Sequence, residues 1–402
     1  MSSTGRLPVE IWTTILDLVI HVQRLVETGC TKESFFEFFG PADEIYCPLE
    51  DWKVSEKQRC LLARVCRSWK EWAESQRYRY IQIGQSGVPQ SAIYNAKRVP
   101  LACLSPDIQP DKPSRWVVID AVVHFRSHVK YFESFVQHSQ LHPHFRRLNL
   151  TLGVPSLEVQ SILRLLPSFA HLTYLLLDFR RSPFNFTSRL SSPTNEPIAT
   201  LPHVTVFEWW PDERDEYPPM LDLPSLQHMR YQAYFTLPEF PFGWLTPSSR
   251  RGLRSLLLGV ICDGLNPFAI LWSSFPRLEE LVCINFRPCF DEPLPPQHPL
   301  KRVWFPEEWT FRVYKSLAYS LLDLWGSFNS EHAPEANPRR DIHICSMVWG
   351  PGGIPSRTPD GRRWADALEE DIEEMERFCR LVNDCARWGV RTLDRNYRNI
   401  RE

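Results

Sequence analysis

No run of 18 or more apolar residues occurs in this 402-residue chain, so nothing in it has the length of a membrane-spanning helix. Nor is there an excess of positive charge: 46 Lys and Arg stand against 48 Asp and Glu, for a formal net charge of -2. Nucleic-acid-binding domains normally carry a basic face, so no nucleic-acid partner is expected. The start lacks a basic segment followed by an apolar core and a small-residue cleavage site, so no signal peptide is expected. Eleven cysteines are present, yet no two are spaced C-x-x-C, and most lie in apolar stretches such as those around Cys103 and Cys283. That usage reads as reduced, buried thiols in a cytoplasmic or nuclear protein.

Motifs for chemistry are also missing. There is no G-x-x-x-x-G-K-[ST], no H-E-x-x-H, no G-x-S-x-G, and no G-x-G-x-x-G after a strand. His138, His142 and His144 lie close together, but no Cys or acid completes a ligand set with them. Asp212, Glu213, Asp215 and Glu216 form an acidic run in a proline-rich loop and read as solvated. Arg146-Arg147, Arg250-Arg251 and Arg339-Arg340 read as solvated surface in the same way. No catalytic residue, metal ligand or cofactor is therefore assigned, and no enzyme is expected.

What the chain does have is length and apolar content. At 43% hydrophobic and 23% charged it is a globular composition, and its length suits two or three domains. From residue 145 an apolar-x-x-apolar-x-apolar unit recurs, starting at residues 145, 172, 204, 226, 253, 278 and 300. These starts lie 22 to 32 residues apart, close to the leucine-rich-repeat period of roughly 20 to 29. The first, fourth and sixth positions are expected to point into a shared core. The third and fifth would face away from it. No single unit buries its apolar side alone, whereas stacked units do.

The units depart from the leucine-rich-repeat pattern at the ninth position, where Asn is replaced by Gly153, Arg180, Asp212, Tyr234, Ile261, Phe286 and Glu308. Without that side chain the turns must satisfy their backbone groups differently. Further elements are expected as strands over 78–83, 100–104, 116–121 and 341–349, and as helices over 32–39, 91–99, 122–138, 156–166, 309–325 and 362–388. The last carries Ile372, Met375, Phe378 and Val382 on one face and suits the capping role that an end of a repeat array requires.

Near the start, Leu7, Pro8, Glu10, Ile11, Ile15 and Leu16 precede a second group, Leu61, Leu62, Val65, Cys66 and Trp69. Pro8 suits a first helical position and Glu10 a first turn. Ile11, Ile15, Val19 and Val22 recur at helical spacing, and Leu62, Val65, Cys66, Trp69 and Ala73 are expected to share one face of a second helix. Residues 21 to 56 intervene as an insertion, with Pro48, Asp51 and Ser55 marking an irregular link. These two groups resemble an F-box, and the repeats resemble the irregular leucine-rich-repeat solenoids attached to many fungal F-box proteins.

The resemblance implies an α/β architecture: an N-terminal helical F-box over 1–83, an irregular leucine-rich-repeat-like β/α solenoid over 84–340, and a C-terminal strand and capping helix over 341–402. It also implies a role. Leu7, Pro8, Ile11, Ile15, Leu16, Leu61, Leu62, Val65, Cys66 and Trp69 would dock a Skp-type linker protein, and through it a cullin-RING ubiquitin ligase. The repeats would hold a protein substrate, with Tyr174, Arg230 and Trp304 as anchors, since aromatic and Arg side chains dominate many interfaces. The alternative is a repeat-based interaction protein whose F-box-like helices serve internal packing and no ligase.

Overall fold

The structure, a computed structural model, describes residues 9–20, 48–75, 80–83, 118–123, 126–138, 145–154, 156–179, 197–210, 221–233, 245–260, 268–269, 272–284, 288–289, 294–295, 297–305, 340–344 and 390–393, with single positions between 372 and 386. It is a mixed α/β fold built on parallel strands, divided into two compact units.

The first unit comprises Met1–Thr31 and Ile45–Phe184. Among its described residues it opens with α1 (Val9–Ile20), α2 (Pro48–Leu62) and α3 (Arg67–Ser75). The strands β1 (Tyr80–Ile83), β2 (Val118–Val123), β3 (Arg147–Leu152) and β4 (Tyr174–Asp178) then pair in parallel in that order. Parallel neighbours need long crossovers. Here α4 (Arg126–His138) joins β2 to β3, and α5 (Ser156–Leu163) joins β3 to β4. Val129, Phe132 and Val136 of α4 are buried, as their helical spacing requires, and Phe132 stacks on Phe169 at 6.2 Å.

The second unit comprises Lys32–Glu44 and Asn185–Glu402. Among its described residues seven strands run parallel in chain order: β6 (Val206–Trp210), β8 (His228–Ala233), β9 (Ser255–Val260), β11 (Glu280–Ile284), β13 (Arg302–Phe305), β14 (Arg340–Ile344) and β15 (Val390–Leu393). Two-residue ladders accompany them, β5 (Ala199–Thr200) with β7 (Leu221–Asp222) and β10 (Phe268–Ala269) with β12 (Pro288–Cys289). A short helix, α6 (Pro247–Gly252), lies between β8 and β9.

Every one of the seven sequence units becomes a strand, and each strand begins at the unit's third position: Arg147, Tyr174, Val206, His228, Ser255, Glu280 and Arg302. Register follows the same frame. Arg147 pairs with Tyr174, and His228 with Val206 and Ser255, so like positions stand side by side. First, fourth and sixth positions are buried in six units, as at Leu148, Leu175, Phe207, Met229, Leu256 and Leu281. In the seventh, Leu300 and Val303 are buried.

The turns find a substitute for the absent Asn. In five of the seven units the carbonyl of the second residue accepts two successive amides of the next unit: Arg146 O from Thr173 and Tyr174, Thr205 O from Gln227 and His228, Gln227 O from Arg254 and Ser255, Arg254 O from Glu279 and Glu280, and Glu279 O from Lys301 and Arg302. The amide at the first position closes a tight turn onto the residue three before it, as in Leu172 to Phe169, Leu226 to Leu223 and Leu278 to Phe275. At Leu300 a side chain takes over. The Leu300 amide donates to His298 Nδ1 at 3.3 Å, and His298 Nε2 meets the Phe275 carbonyl at 3.0 Å. An amide can only donate, so Nδ1 is the acceptor and Nε2 carries the proton.

Gly252 ends α6 against the preceding unit. A Cβ built there would lie 2.8 Å from the Leu226 carbonyl oxygen, and backbone cannot yield as a flexible side chain does. Gly252→Ala is therefore expected to cost about 1 to 3 kcal/mol, an overpacking penalty, read as a lower urea midpoint.

Several expectations are corrected. The stretch from Leu61 to Ala73 is not one helix: α2 ends at Leu62, residues 63–65 form a turn, and α3 starts at Arg67. Val65 and Cys66 are thereby exposed at a corner and do not share a face with Trp69. The supposed irregular link at Pro48, Asp51 and Ser55 is the first half of α2; a proline is compatible with a first helical turn, where its missing N–H costs no bond. Arg147 is buried, not solvated. Of the strand expected over 341–349, β14 spans Arg340–Ile344 and residues 345–349 lie outside the described residues; described positions between 372 and 386 are helical, with Val382 buried but Ile372 exposed. The expected elements at 32–39, 91–99, 100–104 and 309–325, the His142 and His144 pair, and the acidic run at 212–216 lie outside the described residues.

Candidate docking surface and the polar row of the repeats

On α1, Leu16 turns inward and is buried, whereas Ile11, Trp12, Ile15, Leu18 and Val19 are exposed. Ile11, Ile15 and Leu18 are spaced i, i+4, i+7, so they line one face of the helix. Leu18 is 66% exposed. On the neighbouring α2, Val54 and Leu61 are exposed two helical turns apart, and Val65 follows in the turn at 59% exposure. A helical group that shows this many large apolar side chains to solvent has the character of an interaction surface.

The scaffold beneath that surface is fixed by polar and aromatic contacts. Trp12 of α1 lies against Trp69 of α3, ring centroids 5.6 Å apart. Arg59 of α2 is buried and donates from Nη1 to the Ala73 carbonyl at 3.0 Å, satisfying an oxygen in the last turn of α3. Its other nitrogens hold Glu56 through both carboxylate oxygens, with Nε to Oε2 at 2.7 Å. The Glu56 hydrogen bond pushes the Arg59 pKa further up, so the cation is permanent. Arg59 was not legible in the sequence, where it reads as one more surface base.

Of the F-box-like residues, Ile11, Ile15, Leu61, Val65 and Cys66 are exposed, Leu62 and Trp69 are half-buried, and Leu16 is buried. Leu7 and Pro8 lie outside the described residues. The exposed set falls on α1, the end of α2 and the turn after it.

The third and fifth positions of the repeats, expected to face away from the core, do lie opposite it but are themselves buried, except His228 and Arg302, which are half-buried. Tyr174, Arg230 and Trp304 are 0%, 1% and 2% exposed, so none of the three offers an open anchor. Buried polar groups must find partners, and these form short networks. In the first unit, Arg147 lies over the Tyr174 ring at 3.9 Å and donates to Asn149 Oδ1 at 3.1 Å. In the second, Arg230 faces Glu208 at 3.7 Å, lies over the Trp210 ring at 4.4 Å and donates to Gln232 at 3.3 Å. Trp210 Nε1 donates to Glu208 at 3.1 Å.

One member of this row titrates below its ordinary range. His228 sits 3.1 Å from Ser255 Oγ, and its pKa is lowered to about 4, first by burial and then by Arg254, with Glu279 opposing. An unfolded His has a pKa of about 6.5, so between pH 6.5 and 4 the unfolded chain binds more protons than the folded one. The contribution is thus complete above pH 6.5 and lost as pH falls towards 4. Lowering the pH from 7 to 5 is expected to cost roughly 2 kcal/mol through this group. Urea melts at the two pH values, compared between wild type and His228→Asn, isolate it: the variant is expected to lose that increment of the slope.

Cysteine chemistry differs along the chain. Cys283 is buried, and burial pushes its thiol up, which keeps it protonated and inert. Cys60 and Cys66 are exposed and depart from the expected buried thiols. Among the described residues no three His, Cys, Asp or Glu side chains converge as metal ligands, and no helix is long and apolar enough to cross a membrane. Compared with known proteins, the chain matches no family model and none of the curated proteins.

Proposed function

We propose that this chain is the substrate-receptor subunit of a Skp-cullin-F-box ubiquitin ligase, with α1, the end of α2 and the turn at 63–66 docking the linker protein. The observation that carries this reading is the exposed apolar face of Ile11, Ile15, Leu18, Leu61 and Val65 on a helical group whose own packing is completed elsewhere, by Leu16, Trp12–Trp69 and Arg59–Ala73. The remaining residues that resemble the motif, Leu7 and Pro8, stand just ahead of α1 in sequence.

The parallel strands, read as an irregular leucine-rich-repeat-like solenoid closed by the C-terminal helix, would carry the protein substrate. No catalytic group is needed for that role. A receptor raises the effective concentration of a substrate lysine near a ubiquitin thioester held by the rest of the ligase. Tyr174, Arg230 and Trp304, being buried, would support the substrate-bearing sheet from within.

Co-purification of the full chain with a recombinant Skp-type linker protein tests the reading. A one-to-one complex is the expected result. A folded chain that forms no complex would overturn it and favour an interaction protein without a ligase role.

A further inference from the structure

The exposed face of α2 is not apolar alone. Lys53, Val54, Lys57 and Leu61 are all exposed and recur at i, i+1, i+4 and i+8, so cations and apolar side chains alternate along one face. The pattern continues past the helix end. Arg64 precedes Val65 in the turn, and Arg67 and Lys70 follow on α3, all three exposed. Among the described residues from 53 to 75 the exposed acids are Glu71 and Glu74, and Glu71 is engaged by Arg67 at 3.1 Å. Glu56 is taken by Arg59. This surface is therefore locally positive on a chain whose net charge is -2.

We infer that the partner meeting these helices is a protein with an apolar groove rimmed by acidic residues, and that Lys57, Arg64 and Lys70 steer it into register. The inference rests on the docking reading above and adds the partner's chemistry. A protein groove is favoured over a phosphate backbone because Ile11, Ile15, Leu18, Leu61 and Val65 gain only where apolar area is buried. Rim charges act chiefly on association: they bias the encounter while the apolar contacts set how long the complex lasts.

The experiment compares wild type with the triple variant Lys57→Glu, Arg64→Glu, Lys70→Glu, and with the neutral triple variant to Gln, measuring association and dissociation rates with a recombinant Skp-type linker protein. At about 0.02 M salt the Glu variant is expected to associate at least about tenfold more slowly, with dissociation changed less than about threefold and the Gln variant in between. At about 0.5 M salt the three rates should converge, because screening then acts within a few ångströms. Thermal melts check that the variants fold. Equal association rates at low salt, with wild-type binding intact, would overturn the charge inference and leave the docking reading standing. No wild-type binding at all would overturn both. Capture by anionic lipid vesicles without linker binding would do the same.

Discussion

Ile11→Asp combined with Ile15→Asp is expected to weaken binding of the Skp-type linker by more than about 100-fold while leaving the chain folded. Both side chains are exposed in the free protein, so their replacement removes little internal packing. Surface substitutions of this kind, with the modest helix propensity of Asp, cost less than about 1 kcal/mol each in stability. On docking, the same positions would become buried. Each lost Ile forfeits about 1.5 to 3 kcal/mol of transfer energy, and an unpaired carboxylate carried into an apolar interface adds a desolvation penalty. Since 1.4 kcal/mol is about a factor of ten in affinity, two such changes exceed a hundredfold without further assumption.

Calorimetric titration of both proteins with the linker, beside thermal melts of each, checks this. Trp69 would be a poorer choice of target. It packs against Trp12, so Trp69→Ala would loosen the helical group, and lost binding would not separate docking from folding. Unchanged affinity for the double Asp variant would place the linker contact away from α1.

The repeat strands were legible because two physical signals coincide at each unit: an alternation that needs one buried face, and a period matching a stacked crossover. The third residue of every unit, from Arg147 to Arg302, begins a strand. What alternation does not reveal is whether the second face meets water. Parallel strands are usually covered on both faces, and Glu208, Arg230 and Glu280 are buried although their polarity reads as exposure. The partners of Glu208 and Arg230 lie one strand away or two residues along the same strand, at separations no local pattern encodes.

The helical group was legible in its residues but not in its breaks. Ala63, Arg64 and Val65 carry no Gly or Pro, yet α2 stops there, with the Arg64 and Val65 amides bonding to the carbonyls of Leu61 and Leu62. Tertiary contact decides such a break: the buried Arg59 side chain, reaching Ala73 O, requires α3 to fold back on α2. Pro48 shows the converse error. Proline suits an irregular link and a first helical turn alike, and here it opens α2.

Removing the cation from the buried pair in the second unit is expected to be the costliest single change to stability. Glu208 and Arg230 are register partners on β6 and β8, each almost fully buried. Arg230→Ala takes away the ion pair, the contact over Trp210 and the bond to Gln232 together, and it leaves the Glu208 carboxylate buried without its cation. Breaking one side of such a pair costs about 3 to 5 kcal/mol, whereas replacing both sides with apolar groups of similar volume is often neutral. Arg230→Met with Glu208→Leu should therefore recover most of the loss, giving a coupling energy of about 2 kcal/mol or more in a double-mutant cycle monitored by urea unfolding. Equal losses in the single and double variants would assign the stability to packing around Trp210 and not to the charge pair. Because the proposed linker contact is on α1 and α2, Arg230→Ala at temperatures where it stays folded should bind the linker as wild type does. That separation distinguishes a support of the repeat sheet from a member of the docking surface.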